Sequence, residues 1–124
     1  MRVFRNKWFD RYVRKERISD AALCGAVSRA SQGMIDADLG GGVIKQRIAR
    51  EGEGKSGGYR GILLYRAGER AFFVYGFAKN TQDNIGAGDL AAFKAAAGAY
   101  MAMKDEAIAE LIAIKRLKEI ECDG

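Results

Sequence analysis

Tyr59-Arg60-Gly61-Ile62-Leu63-Leu64-Tyr65-Arg66-Ala67-Gly68-Glu69-Arg70-Ala71-Phe72-Phe73-Val74-Tyr75-Gly76-Phe77 reads as two strands joined by a tight turn at Ala67-Gly68. Aromatic and branched residues favour the pleated surface of a sheet, and glycine supplies the turn. In the second strand Phe72, Val74 and Gly76 fall on one face and Phe73, Tyr75 and Phe77 on the other. Aromatics on both faces imply a central strand, covered on both sides or covered on one and used on the other. Upstream, Val43, Lys45 and Arg47 alternate with Ile44, Gln46 and Ile48, which predicts a half-buried strand with one cationic face. Between these strands, residues 50–58 hold four glycines and read as a loop. The three strands together predict an antiparallel meander.

Helical patterns flank the meander. Phe4, Trp8, Phe9 and Tyr12 form one stripe, predicting a basic amphipathic helix from about residue 5 to 16. Ser19-Asp20 is a helix start signal, and Ala22, Leu23, Ala26, Val27 and Ala30 extend it to about Gly33. After a polar loop at Asp83–Asp89, Leu90, Phe93, Ala97, Tyr100 and Met101 repeat at helical spacing, with Gly98 inside. Such a glycine packs tightly against a neighbour or costs about 1 kcal/mol. Another helix starts at Asp105, and residues 117–122 read as a short strand. Helices, a meander and further helices make an α+β fold, expected as a single domain over residues 1–124.

Composition narrows the chemistry. The 124 residues are 48% apolar and 30% charged, with 21 basic against 16 acidic groups and a net charge of +5. Histidine is absent, which excludes Ser-His-Asp and Cys-His machinery and histidine metal sites. Proline is absent as well, so turns rely on Gly, Asn and Asp. Cys24 and Cys122 lie far apart and read as packing or tail residues, with nothing in their spacing to support a disulfide. No apolar run reaches transmembrane length and no export signal is visible at the N-terminus, so the expected compartment is the cytoplasm.

The positive charge is clustered. Residues 1–17 and 45–79 each carry an excess of five cations, and the remainder of the chain is net acidic. A focused positive field attracts polyanions. Ala49–Ser56 matches a relaxed phosphate-loop pattern, but a glycine pair and a strand follow where a helix is required. Nucleotide hydrolysis is therefore not expected, although the Gly/Lys loop can wrap an RNA phosphate. Asp36, Asp38, Asp83 and Asp89 sit beside glycines and read as turn and cap residues, so no metal site and no cofactor are expected.

The cations of the meander form the stronger constellation. Lys45, Arg47, Lys55, Arg60 and Lys79 can converge at strand ends as candidate catalytic groups. A lysine among cations can serve as a base, and an arginine can hold the charge of a phosphorane. Attack by an RNA 2′-hydroxyl needs no metal. Arg50, Tyr59, Arg66, Tyr75 and Asn80 are candidate RNA-binding residues, the tyrosines by stacking on bases.

Three blocks carry a family resemblance: Asp38-Leu39-Gly40-Gly41-Gly42-Val43-Ile44-Lys45-Gln46-Arg47-Ile48-Ala49, Gly54-Lys55-Ser56-Gly57-Gly58-Tyr59-Arg60, and Phe72-Phe73-Val74-Tyr75-Gly76-Phe77-Ala78-Lys79-Asn80. The chain resembles RelE/HigB-type toxins of bacterial type II toxin–antitoxin pairs, in the RelE/ParE superfamily. The resemblance implies a small curved antiparallel sheet of three to four strands, two N-terminal helices and one or two C-terminal helices. It implies ribosome-dependent cleavage of mRNA by in-line attack of a 2′-hydroxyl, and a cognate antitoxin that covers or distorts the site. Arg60 matches the family's phosphate-stabilising arginine, and Lys79 lies in its Gly/Ala-Lys segment. Asn80 stands where the family often has arginine, and the late catalytic tyrosine of some members has no counterpart near Ile85. The expected partners are an antitoxin, the ribosome and mRNA, with no membrane and no small-molecule cofactor. Two alternatives remain: a non-nucleolytic ParE-like toxin acting on gyrase, and a non-toxic nucleic-acid-binding domain.

Overall fold

The structure is a computed structural model that describes residues 1–50, 54–79 and 85–122, with backbone alone at 54–57. Its elements run β1 (Arg2–Asn6), α1 (Lys7–Glu16), α2 (Asp20–Ser31), β2 (Ala37–Gly40), β3 (Val43–Arg50), β4 (Gly54–Arg66), β5 (Arg70–Ala78), α3 (Ala87–Ala102), α4 (Asp105–Ala113) and β6 (Leu117–Ile120). The α+β class is as expected, and so are the β3–β4–β5 meander and the terminal strand. The sheet is larger than expected: six strands in the order β2-β3-β4-β5-β1-β6. It is also mixed, because β1 runs parallel to β5.

The largest correction lies at the N-terminus. Phe4 belongs to a strand and not to the helical stripe: it pairs with Phe72 across the β1–β5 ladder and stacks on that ring at 4.9 Å. The chain turns from strand to helix at Asn6. Its side-chain oxygen accepts the Phe9 N–H at 2.8 Å, and its amide donates to the Val74 carbonyl at 3.1 Å. One side chain thus caps α1 and grips β5. Ser19 caps α2 as its sequence signal indicates, accepting the Ala22 N–H at 3.1 Å.

Both faces of the sheet are covered. On one, α1 and α2 bury Phe9, Val13, Leu23, Ala26 and Val27 against Ile44, Ile48, Tyr59, Leu63 and Phe73. Gly61 and Gly76 are cross-strand partners on this face. A Cβ at Gly76 would come within 2.9 Å of the Phe9 and Tyr12 rings, and one at Gly61 within 2.8 Å of the Ile48 side chain. The glycine pair therefore hollows the sheet where α1 seats its aromatics. On the opposite face, Phe4, Val43, Ile62, Leu64, Phe72, Val74 and Phe77 pack with residues of α3 and α4. A register shift between Ile62 and Leu63 moves Phe77 onto the α3 side with Phe72 and Val74, away from Phe73. This bulge is why strict alternation misplaces the aromatics of β5.

Several cations are spent on structure. Arg5 is buried, its guanidinium donating to Asp10 at 2.8 Å and Asp20 at 2.7 Å, in the first turns of α1 and α2. Arg70 donates to the Tyr100 and Met103 carbonyls at 3.0 and 2.7 Å and to Asp105 at 3.0 Å, joining the end of α3 to the start of α4. The cysteines also depart from expectation: Cys24 of α2 and Cys122, just past β6, form a disulfide with a Cα–Cα distance of 5.6 Å. Among the described residues, no helix is long and apolar enough to cross a membrane.

Gly98 is exposed in the middle of α3, and a Cβ there would meet nothing within 4 Å. Its backbone freedom costs the helix without serving a close contact. Gly98→Ala is expected to raise the urea-unfolding free energy by about 1 kcal/mol.

Candidate nucleic-acid interface

The β3–β4 ladder sets the geometry of the basic cluster. Its register pairs Val43 with Leu64, Lys45 with Ile62 and Arg47 with Arg60. Val43, Ile62 and Leu64 lie in the core on the α3 side, while Ile44 and Ile48 lie in the core under α1 and α2. Lys45, Arg47 and Arg60 therefore share the α3-side face, since residues two apart on a strand point the same way. The apolar Val43 on the basic side finds its explanation here: that end of the row lies under α3, and the row becomes cationic as it leaves the helix.

Two arginines placed directly opposite repel one another. Arg60 is 8% exposed, whereas the Arg47 side chain is about half exposed, at 49%. The Arg60 guanidinium donates to the Tyr59 carbonyl at 3.2 Å, and among the described residues no carboxylate lies within ion-pair distance of it. Burial first, and then Arg47, pull its pKa below the ordinary guanidinium value. It nevertheless keeps its charge at any physiological pH. The site thus sets a desolvated Arg60 opposite a half-exposed Arg47, with little internal compensation.

What compensation exists comes from Asp36. Its carboxylate accepts the Arg47 backbone N–H at 2.6 Å and lies 3.8 Å from the Arg47 Nε. Asp36 is held in turn by Gln46, which is fully buried on the opposite face of β3. The Gln46 side-chain oxygen accepts the Asp36 N–H at 2.7 Å, and its amide donates to the Ala26 and Met34 carbonyls at 3.0 and 3.2 Å. Arg29 of α2 donates to the Arg47 carbonyl. Asp36 and Gln46 were missed as positioning residues. Asp36 reads as a turn residue beside glycines, and the one signal for Gln46 is a polar side chain on the apolar side of a half-buried strand. Asp38 does perform the turn role read for it, accepting the Gly40 N–H at 2.9 Å.

The remaining candidates divide by position. Lys79 is exposed just past β5, two residues beyond Phe77, the cross-strand partner of Arg60, and its N–H donates to the Gly58 carbonyl at 3.4 Å. It therefore borders the cluster. Tyr75 is half-buried, with the Trp8 ring 4.6 Å away and the Phe93 ring 6.3 Å away, so much of its surface is already covered. Tyr59 faces the other way. It is 1% exposed beneath α1, edge-on to Tyr12 at 6.0 Å, and its ring is not available to a base. Arg50 lies over that same Tyr59 ring at 5.4 Å and so also leaves the cluster. Arg66 sits at the far end of β4, 3.8 Å from Glu69 across the turn. Six residues of strand separate it from Arg60 by roughly 20 Å. The Lys55 side chain and Asn80 lie outside the described residues, as does Asp83. Among the described residues, no group of three or more potential metal ligands is assembled.

Residues 1–120 match the family model for the RelE toxin of the RelE/RelB toxin–antitoxin system. The chain belongs to the RelE toxin family. It is thus a toxin of a toxin–antitoxin system, and the family implies an antitoxin partner. No curated protein matches it.

Replacing Gln46 with leucine in this toxin leaves the Asp36 N–H and two carbonyls without their partner. Gln46→Leu is expected to lower the urea-unfolding free energy by about 1–3 kcal/mol.

Proposed function

We propose that this RelE-family toxin arrests translation by cutting mRNA in the ribosome, with Arg60 as the group that stabilises the reacting phosphate. The observation that carries this reading is the Arg47–Arg60 pair, aligned across one ladder, with Arg60 desolvated and no carboxylate within ion-pair distance among the described residues. Such a pair is costly in the free protein and complementary to a phosphate gaining negative charge. Guanidinium geometry also suits two phosphate oxygens at once.

In the reaction, Lys45 or Lys55 takes the proton of an RNA 2′-hydroxyl. The freed oxygen attacks the adjacent phosphorus in line. The bond from phosphorus to the 5′ oxygen of the next nucleotide breaks, leaving a 2′,3′-cyclic phosphate, and the departing oxygen takes a proton to become a 5′-hydroxyl. Arg60 and Lys79 stabilise the charge on the phosphorane, and Arg47 holds the flanking backbone. A protein with this activity works where ribosomes are, in the cytoplasm, and the antitoxin keeps it from the host's own messages.

The test is induced expression of wild type and Arg60→Ala, with growth, protein synthesis and primer extension on a reporter mRNA as readouts. Arrest with cuts inside translated codons is expected for wild type. Cleavage should fall by about 100-fold or more in Arg60→Ala, as when a charge-stabilising donor is removed. Arrest without cuts contradicts the nuclease reading and directs attention to a protein target such as gyrase. No arrest from folded protein contradicts translational inhibition altogether.

A further inference from the structure

The Cys24–Cys122 bond joins α2 to the residue two places beyond the last strand, across 98 residues of sequence. Strand β6 has four residues and lies at the end of the sheet, paired on one side with β1. Its attachment rests on that short ladder, on the buried Leu117 and Ile120, and on Glu119, which accepts two bonds from Arg2 at 2.9 Å. The disulfide fixes the strand's end to a separate helix. Cys122 is exposed and Cys24 half-buried, so one sulfur can be approached from solvent.

We propose that Cys24–Cys122 is a reversible thiol–disulfide site whose reaction partner is a dithiol reductant, and whose reduction frees β6 from β1. One thiolate of the dithiol attacks the exposed Cys122 sulfur. The Cys24–Cys122 bond breaks, and Cys24 leaves as a thiolate that takes up a proton. The second thiol of the reductant then attacks the mixed disulfide, so that Cys122 also leaves as a thiol and the reductant becomes a cyclic disulfide. Two electrons and two protons pass to the protein. Access and an ordinary thiol leaving group are what such exchange requires.

The consequence is local. With its far end released, a four-residue edge strand loses the constraint that keeps it registered, and the outer side of β1 becomes an open sheet edge, a template for pairing with another chain. The Arg47–Arg60 ladder is three strands away in the sheet and is not bridged by the bond. In a reducing compartment, disulfides are usually transient or sensing, which fits a bond with one sulfur accessible to solvent.

The experiment uses the full chain purified without reductant. Iodoacetamide labelling with mass measurement counts free thiols before and after dithiothreitol under native conditions, and hydrogen exchange follows each form. No labels before reductant and two after are expected. Amide exchange should rise about tenfold or more over residues 117–121 and stay unchanged over 59–77. Cys122→Ser should reproduce the reduced pattern without any reductant. Two labels before reductant, no labels after it, unchanged exchange at 117–121, or an equal rise over 59–77 would each overturn the proposal.

Discussion

The register between β3 and β4 decides which side chains reach each face of the sheet. Side chains on a strand alternate, so a slip of one residue would move the whole set to the opposite face. The observed register aligns Val43 with Leu64 and Arg47 with Arg60. The first pair is core under α3, and the second is the cationic centre of the candidate site. One hydrophobic alignment therefore builds the core and delivers the arginines to one place. Gln46 reinforces it from the other face, tying β3 to α2 and to the segment that carries Asp36.

Electrostatics then separates structural cations from available ones. Arg5, Arg70 and Arg2 each meet carboxylates at 3.0 Å or closer. Arg60 meets none among the described residues, though it is nearly as buried as Arg5. Removing a charge from water without pairing it is expensive. Family membership supplies the biological frame: a toxin held in check by an antitoxin.

Much of the fold was legible where the signal was local. The hairpin at 59–77 is dense in β-formers with a glycine turn between, and Ser19 announces α2 in the chain itself. What escaped was non-local. Phe4 fits a helical stripe with Trp8 and Tyr12, and only the parallel pairing with residues 70–73 makes 2–6 a strand. Strand β2 consists of Ala-Asp-Leu-Gly, which carries no β propensity and is recruited by its ladder to β3. The disulfide was illegible because the fold alone brings residues 98 apart together. In the site, Lys45, Arg47 and Arg60 were readable from alternation and composition. The same alternation already separates Tyr59 from Arg60 and Arg50 from Arg47, since each pair is an odd number of residues apart on its strand.

On the proposed function, Arg60 is retained for an external anion at a cost to the fold. Urea unfolding of Arg60→Met tests it most directly. Methionine fills similar space without a charge, so the variant should be more stable than wild type by about 1 kcal/mol. A loss of stability of that size or larger would show that the guanidinium is structural, and would contradict the claim.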